Sequence, residues 1–286
     1  MYDLLLKGGT VVDPSQGLSG IQDVAVKGGA VARIEPYIPD DETKCLVELR
    51  GRFITPGLID LHTHVYDGVN STGVNPDVAG VYSGVTTVVD AGSAGCDTFA
   101  GFPQHVIPNS HTDIICFLHI GRTGLATGPD IFSSESIDLE GAIRVAITHE
   151  GLICGIKARM VSPALEIMGM EMPRLAKRAA TESGTRLMVH IGDTEQRYDP
   201  SVIQQLLPMM DGGDIVTHSY TANLGGLLDV KGKVIPEAKE AMDRGVWFDT
   251  AHGQMNFSFD VGQRILDQGL TPHCISTDLT LPGRAR

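Results

Sequence analysis

Short apolar runs alternate with amphipathic stretches along most of the chain, and this alternation predicts the fold. After residue 55, apolar runs of β-type composition recur at 58–64, 84–92, 113–121, 152–160, 186–193, 214–220, 245–252 and 273–278. Stretches with helical periodicity lie between them at 137–149, 171–183, 200–210, 234–244 and 259–269. Strands that are apolar on both faces and separated by helices indicate a parallel sheet. Eight such strands predict an α/β fold, a closed (β/α)8 TIM barrel over residues 56–286.

The first 55 residues follow a different pattern. Their apolar or alternating runs are short, and glycine and proline interrupt them, at 4–6, 10–12, 24–26, 31–34 and 46–49. No stretch has convincing helical periodicity. We therefore expect residues 1–55 to form a small antiparallel β unit, separate from the barrel.

A doubly wound open sheet is the alternative α/β fold. Such sheets usually carry a glycine-rich phosphate loop after the first strand, whereas here the first barrel strand ends in His62, Thr63 and His64. Only eight residues follow Asp278 at the end of the last predicted strand. We therefore expect this chain to lack the last helix of the barrel.

Composition narrows the classes of function. The 286 residues include 22 Lys and Arg against 35 Asp and Glu, for a formal charge of −13. This balance argues against a nucleic-acid partner or an anionic membrane surface, because both need clustered positive charge. No apolar run has the roughly 18 residues of a membrane span, and the first residues lack a secretory-signal pattern. The five scattered cysteines form no C-x-x-C pair, which predicts reduced thiols in a cytoplasmic protein. Whether it forms a homo-oligomer stays open.

Six polar residues fall at or near the carboxyl ends of predicted barrel strands, which is where barrel active sites are built. They lie on the first, fourth, fifth, sixth and eighth strands: His62, His64, Lys157, His190, His218 and Asp278. Taken singly, each has an ordinary structural explanation as a core histidine, a cap or a solvated residue. Their joint placement favours a functional site.

This set has the chemistry of a metal centre. Imidazole and carboxylate ligands suit zinc or a similar divalent ion. Four histidines and one aspartate exceed the needs of one ion, and with a bridging ligand they suit two. Lys157 would bridge if carbon dioxide converted it to a carbamate, which offers one oxygen to each ion. Two ions can lower the pKa of a shared water and polarise a carbonyl, and Asp278 can then move the proton to the leaving group.

The segments PGLIDLHTH, GVTTVVDAG, IKARM, MVHIGD, VTHSY and STD resemble the amidohydrolase superfamily of metal-dependent hydrolases in order and spacing. The resemblance covers nearly the whole chain. It implies a binuclear site whose ligands are His62, His64, Lys157, His190, His218 and Asp278. It also implies that residues 1–55 belong to a small β-sandwich, whose usual C-terminal strands this chain is expected to lack.

Within that superfamily, GVTTVVDAGSAG and GIKARM most resemble bacterial dihydroorotase-like amidohydrolases and deacetylases. Some of these act on acetylated (R)-2-hydroxy acids. Dihydroorotases usually carry an arginine two residues after the H-x-H motif, and Tyr66 in that position counts against that activity. The adenosine deaminase type lacks a bridging lysine, so Lys157 counts against it.

Three further residues are candidates for binding a small acyl substrate. Arg159 shares a strand face with Lys157 and could clamp a carboxylate, or it could pair with a surface acid. Tyr220 could donate to a developing oxyanion, although packing is its usual role. His252 lies at the same barrel mouth and could contact substrate or belong to a loop.

The sequence thus predicts a zinc-dependent amidohydrolase or deacetylase. In this prediction a hydroxide generated at the metal ions attacks the carbonyl of a small acyl ester or amide, with O-acetyl-(R)-2-hydroxy acids as the leading substrates. A cyclic amide hydrolase of the dihydroorotase, hydantoinase or allantoinase type is the alternative enzyme. A metal-free, non-catalytic scaffold is the alternative of another class.

Overall fold

The computed structural model describes residues 1–197 and 199–281. Tyr198 and residues 282–286, which belong to the predicted barrel range 56–286, lie outside the described residues. Contacts within the chain divide it into two compact units, residues 1–58 and a larger unit that begins at Ile59.

The first unit is a five-stranded mixed sheet. Its strands are β1 (Leu4–Asp13), β2 (Leu18–Lys27), β3 (Ala30–Glu35), β4 (Leu46–Glu48) and β5 (Phe53–Ile54). The order is β3-β2-β1-β4, and β5 also pairs with β1. Leu5, Ala25 and Ile38 form its buried apolar cluster.

The expectation of an antiparallel unit was wrong, since β4 and β5 both pair parallel to β1. The runs 4–6 and 10–12 belong to one strand, because the chain passes Gly8 (φ +68°) in a β-bulge and then continues its pairing with β2. The segment after β3 carries the chain back across the sheet before β4 begins, and that crossover makes the pairing parallel.

The second unit contains seven parallel strands in sequential order. They are β6 (Ile59–Thr63), β7 (Thr87–Gly95), β8 (Asp113–His119), β9 (Ile153–Arg159), β10 (Arg186–His190), β11 (Ile215–Thr217) and β12 (Trp247–Asp249). The α-helices are α1 (Pro76–Ala79), α2 (Leu139–Thr148), α3 (Ala164–Met168), α4 (Glu171–Glu182), α5 (Val202–Leu206), α6 (Pro236–Asp243) and α7 (Phe259–Leu266). This confirms the predicted α/β fold, in which each of the five predicted helical stretches contains a helix.

The eighth predicted strand takes the form of a bridged segment. We call residues 273–279 the closing segment. On one side the backbone N–H of Thr250 donates to the carbonyl of Cys274, and that of His252 donates to the carbonyl of Ser276. On the other side Asp278 donates to the carbonyl of His62. The closing segment therefore lies between β12 and β6 and takes the place of an eighth strand.

Strand alternation divides the apolar residues of this unit into two layers. Val89, Phe117 and Met188 belong to a small cluster formed by one face of the strands. The opposite faces pack in a larger cluster beneath the helices. Helix α4 shows why the helices form there, because its buried residues recur at helical spacing, at Met172, Ala176, Ala179 and Ala180. Among the described helices, none combines the length and the apolar character that a membrane crossing requires.

Candidate metal centre

The structure brings the six predicted ligand residues together at the carboxyl ends of their strands. The Nε2 atoms of His62 and His64 lie 3.5 and 3.4 Å from Oδ1 of Asp278. The ring of His218 lies 5.0 Å from that of His62 and 4.0 Å from that of His190, centroid to centroid. Lys157 Nζ is 3.5 Å from His62 Nε2. Strands that are far apart in sequence thus deliver one cluster.

Burial keeps three histidines of this cluster, His62, His190 and His218, neutral. It lowers the pKa of His218 to about 4. It also lowers the pKa values of His62 and His190 well below the usual range, with positive neighbours adding to the effect. A neutral imidazole is the form that binds metal.

Lys157 is also buried, and burial lowers the pKa of its ammonium group to about 7. Nζ lies against the sulfur of Met188, at 3.3 Å. A Cβ at Gly92 would stand 2.7 Å from Cβ and Cγ of Lys157. Glycine at position 92, with φ +90°, therefore leaves the room that the lysine occupies.

Asp278 enters the cluster from the closing segment. Burial raises the pKa of its carboxyl, but the contacts with His64, His218 and Lys157 outweigh burial and hold the pKa below its usual value. His218, Ala251 and Asp278 all have positive φ, at 68°, 37° and 50°. Non-glycine residues rarely adopt this conformation, and it is concentrated at functional sites.

The Nδ1 atoms of His62, His64 and His218 each lie within hydrogen-bond distance of an oxygen atom. His62 Nδ1 lies 2.8 Å from the hydroxyl of Thr217, and His64 Nδ1 lies 2.9 Å from the hydroxyl of Ser93. His218 Nδ1 lies 3.0 Å from the carbonyl oxygen of Ala251. Because a carbonyl oxygen can only accept, His218 carries its proton on Nδ1 and has a lone pair on Nε2.

These residues fit a bound metal ion. Nε2 of His218 is buried and has no hydrogen-bond partner among the described residues, although buried polar atoms are normally satisfied. Ligand atoms of His62, His218 and Asp278 all lie within 4.8 Å of one another. An unpaired nitrogen lone pair beside an imidazole and a carboxylate is the donor set that a divalent ion requires.

A cavity of about 500 Å³ opens beside the cluster. His64, His190 and Asp278 line it, as do Arg159 and Asp130. The guanidinium of Arg159 donates to the Asp130 carboxylate at 3.2 Å. The charge of Arg159 and the contact with His119, at 3.1 Å, together outweigh burial and hold the pKa of Asp130 well below its usual range. Arg159 is thus paired and still faces the cavity.

The other two predicted substrate-binding residues are not among those that line this cavity. The ring of Tyr220 is buried against Phe257 and Gly262. β11 ends at Thr217 and the backbone turns at His218, so Tyr220 does not continue that strand. His252 is exposed and contacts Phe257.

Sequence analysis missed several residues that position the cluster. Asp249 is buried, and burial raises the pKa of its carboxyl to about 6 against the opposing hydrogen bonds from Ser276 and Thr217. Gly253 leaves room for Asp278, whose Oδ2 would lie 2.5 Å from a Cβ there. The sequence signal was present, since Asp249 is the last residue of a barrel strand, but nothing in the sequence paired it with Thr217.

Comparison with known proteins finds relatives that match most of this chain. No protein-family model matches it. A deacetylase of Agrobacterium fabrum is 31% identical over 261 residues, which are 90% of this chain and 63% of the relative. The chain therefore spans less than two thirds of the length of that relative.

Two solved structures are similar over almost all of this chain. A dihydroorotase matches 98% of it and 74% of its own chain, at 29% identity and a TM-score of 0.84. An adenine deaminase matches 100% of it and 75% of its own chain, at 28% identity and a TM-score of 0.87. Together with the relative's sequence and the shared barrel, these similarities show that the chain belongs to the amidohydrolase superfamily.

Proposed function

We propose that this protein is a metal-dependent hydrolase that cleaves a small acyl ester or amide. One observation carries the proposal: four histidines, a lysine and an aspartate converge at the strand ends beside a cavity of about 500 Å³. The relative from Agrobacterium fabrum is named a deacetylase, which supports an acyl group as the part removed.

The residues that would hold two divalent ions, zinc in our proposal, are His62, His64, Lys157, His190, His218 and Asp278. When bound, the ions supply a Lewis acid for the acyl carbonyl and lower the pKa of a water molecule toward neutrality. The protein contributes the neutral imidazoles and a cavity that holds the substrate against them.

Lys157 would join the ions as a carbamate. In that reaction the neutral amine of Lys157 attacks the carbon of carbon dioxide, a nitrogen–carbon bond forms as one carbon–oxygen π bond opens, and one amine proton passes to water. The product is an anion with two oxygens. The burial of Lys157 beside His62 and the low pKa of its ammonium group support this role, because only the neutral amine is nucleophilic.

Asp278 would carry the proton. Its carboxylate lies at the edge of the cavity and near both histidines of the H-x-H motif. A group in this position can accept a proton from the attacking water and pass it to the leaving oxygen or nitrogen.

Arg159 supports an acyl substrate that carries a carboxylate, such as an O-acetyl-(R)-2-hydroxy acid. Its guanidinium lines the same cavity as His190 and Asp278. The ion pair with Asp130 fixes its position, and a guanidinium can bind a carboxylate through two N–H groups.

A cyclic amide hydrolase is the second candidate, favoured by the structural similarity to a dihydroorotase. Tyr66 weighs against dihydroorotate itself, because its ring is buried and stacked on Phe102, and its hydroxyl donates to the carbonyl of Thr98. No anion clamp exists at that position.

The test is a hydrolysis screen on metal-loaded and chelator-stripped protein. The substrates are both enantiomers of O-acetyl-mandelate, their carboxylate methyl esters, hydantoin and dihydroorotate. We expect metal-dependent release of acetate, at least about tenfold faster with a free carboxylate. Turnover of the cyclic amides alone would favour the second candidate. Protein that binds metal and hydrolyses none of them would contradict both candidates.

A matched pair of variants tests the role of Arg159. Arg159→Met should raise KM for the free acid about tenfold or more and leave the methyl ester unaffected. Arg122→Met is the control, because Arg122 also pairs with an aspartate, Asp97, and does not line the cavity. Equal effects of the two variants would remove the proposed clamp.

Lys157→Ala tests the bridge. This variant should lose bound metal, and added short carboxylic acids should restore part of it by supplying two oxygens. Two tightly bound ions without any added acid would contradict the carbamate.

A further inference from the structure

We propose that Thr217 and Asp249 form a hydroxyl-bridged relay that holds His62 as the Nδ1–H tautomer, with its unprotonated Nε2 facing the cluster. The relay deepens the proposed function, since it rests on His62 as a metal ligand. It makes Thr217 a positioning residue rather than a catalytic one.

Counting hydrogens fixes the direction of the relay. The carboxylate of Asp249 only accepts hydrogen bonds, so the single hydroxyl hydrogen of Thr217 points to Asp249 Oδ2, at 2.9 Å. The oxygen of Thr217 is then an acceptor toward His62, at 2.8 Å. His62 Nδ1 must therefore carry the hydrogen, which leaves the lone pair on Nε2.

The three side chains of the relay are buried away from solvent. Thr217 and Asp249 are completely buried and His62 is 1% exposed. Asp249 also accepts from the hydroxyl of Ser276 with both oxygens, at 2.7 and 2.8 Å. These bonds hold the Asp249 carboxylate in place, so the relay joins β6, β11, β12 and the closing segment.

The unprotonated Nε2 of His62 faces the side chains of Lys157 and Asp278. It lies 3.5 Å from Lys157 Nζ and 3.5 Å from Asp278 Oδ1. A hydrogen on this nitrogen would donate to Asp278 and oppose a metal ion. The relay prevents that competing state by supplying the acceptor on the opposite side of the ring.

The second histidine of the motif has the same arrangement on a different strand. The side chain of Ser93 hydrogen-bonds to the buried Asp90, and its oxygen lies 2.9 Å from His64 Nδ1. Asp90 also accepts from the backbone N–H groups of Ser93 and Val65. Two carboxylate–hydroxyl–imidazole chains thus orient both rings, which argues against coincidence.

The first measurement uses the unaltered protein without metal. Two-dimensional ¹H–¹⁵N spectra that correlate ring nitrogens with ring protons distinguish the two neutral tautomers of histidine. We expect His62, assigned by its loss in His62→Gln, to show the Nδ1–H form. An Nε2–H form would overturn the proposal, whatever any variant does.

The second measurement removes the hydroxyl. Thr217→Val keeps the shape and takes away the acceptor. Asp278 then lies nearer to a ring nitrogen of His62, at 3.5 Å, than Asp249 does, at 3.8 Å. We expect His62 to shift toward the Nε2–H form and metal affinity, measured by competition with a chelator, to fall about 10- to 100-fold. Thr217→Ser should restore both.

Thr112→Val is the matched control. Thr112 is also buried, and its hydroxyl also donates to an aspartate, Asp77, at 3.0 Å, with no histidine ring in the chain of bonds. This variant should leave the His62 tautomer and the metal affinity unchanged. If Thr217→Val changes metal affinity no more than Thr112→Val does, the relay is refuted. The tautomer spectra need no metal, so a protein that binds none would contradict the proposed function alone.

Discussion

The seven-stranded ladder and the closing segment hold the barrel together by different means. From β6 to β12 the strands pair through their backbones in unbroken sequential order. The closing segment makes only isolated bridges, at Cys274 and Leu279, and buried carboxylates add to them. Asp249 accepts from Ser276, and Asp60 accepts from the backbone and the hydroxyl of Thr277, at 3.1 and 2.5 Å.

This difference shows where structure and chemistry are coupled. A ladder depends on backbone groups that every residue possesses, whereas the closing segment depends on particular side chains next to the ligands. Asp60 also accepts from the backbone N–H of His62, at 3.2 Å. A change in the closing segment should therefore reach the metal centre, while a comparable change at a position that contacts neither the ligands nor the residues that orient them should affect stability alone.

The largest effect is expected at Asp278, near the end of the closing segment. Asp278→Asn keeps the shape and tolerates the positive φ, but it removes the negative charge and the proton acceptor. Turnover of an acetyl ester substrate should fall about 10²- to 10⁴-fold, with an unchanged circular dichroism spectrum. Asp267→Asn, on an exposed helix end, is the control. Turnover within a few-fold of the unaltered protein would exclude Asp278 as the proton carrier.

The next effect separates stability from metal binding. Asp60→Ala leaves buried donors without an acceptor and should lower the free energy of unfolding by about 2–3 kcal/mol. Asp77→Ala removes three similar bonds, to the backbone N–H groups of His111 and Thr112 and to the Thr112 hydroxyl. Denaturant unfolding should show similar losses for both variants, but only Asp60→Ala should weaken metal binding. Equal metal affinity in the two would contradict the coupling.

The smallest effect is expected at Gly92, a residue of the ladder that leaves room for the side chain of Lys157. Gly92→Ala places a methyl group against Lys157 and should lower metal affinity about tenfold, by analogy with disturbed ligand positioning. Gly84→Ala has a similar positive φ, +84°, but nothing within 4 Å of the new methyl group. Both variants should lose about 1 kcal/mol of stability from backbone strain. Chelator competition decides, and equal affinities would refute the proposed contact.

The apolar runs of the sequence predicted the seven strands of the parallel sheet, because runs that are apolar on both faces and separated by helices form such a sheet. The eighth run forms the closing segment instead. The sequence also identified the six residues that the structure brings together. It did not reveal the relay, because the contact of Thr217 with His62 joins residues 155 positions apart. It left Tyr220 with two roles, contact with substrate or packing, and could not show that the backbone turns at His218, which has a positive φ, before Tyr220 packs against Phe257.

The central claim is that the strand ends and the closing segment assemble a binuclear metal site. The most direct test is elemental analysis of bound metal per chain, on protein purified without chelator and in the presence of bicarbonate. The account predicts close to two divalent ions per chain, with zinc predominant. A value near one would contradict the Lys157 bridge, and a value near zero in folded protein would contradict the site itself.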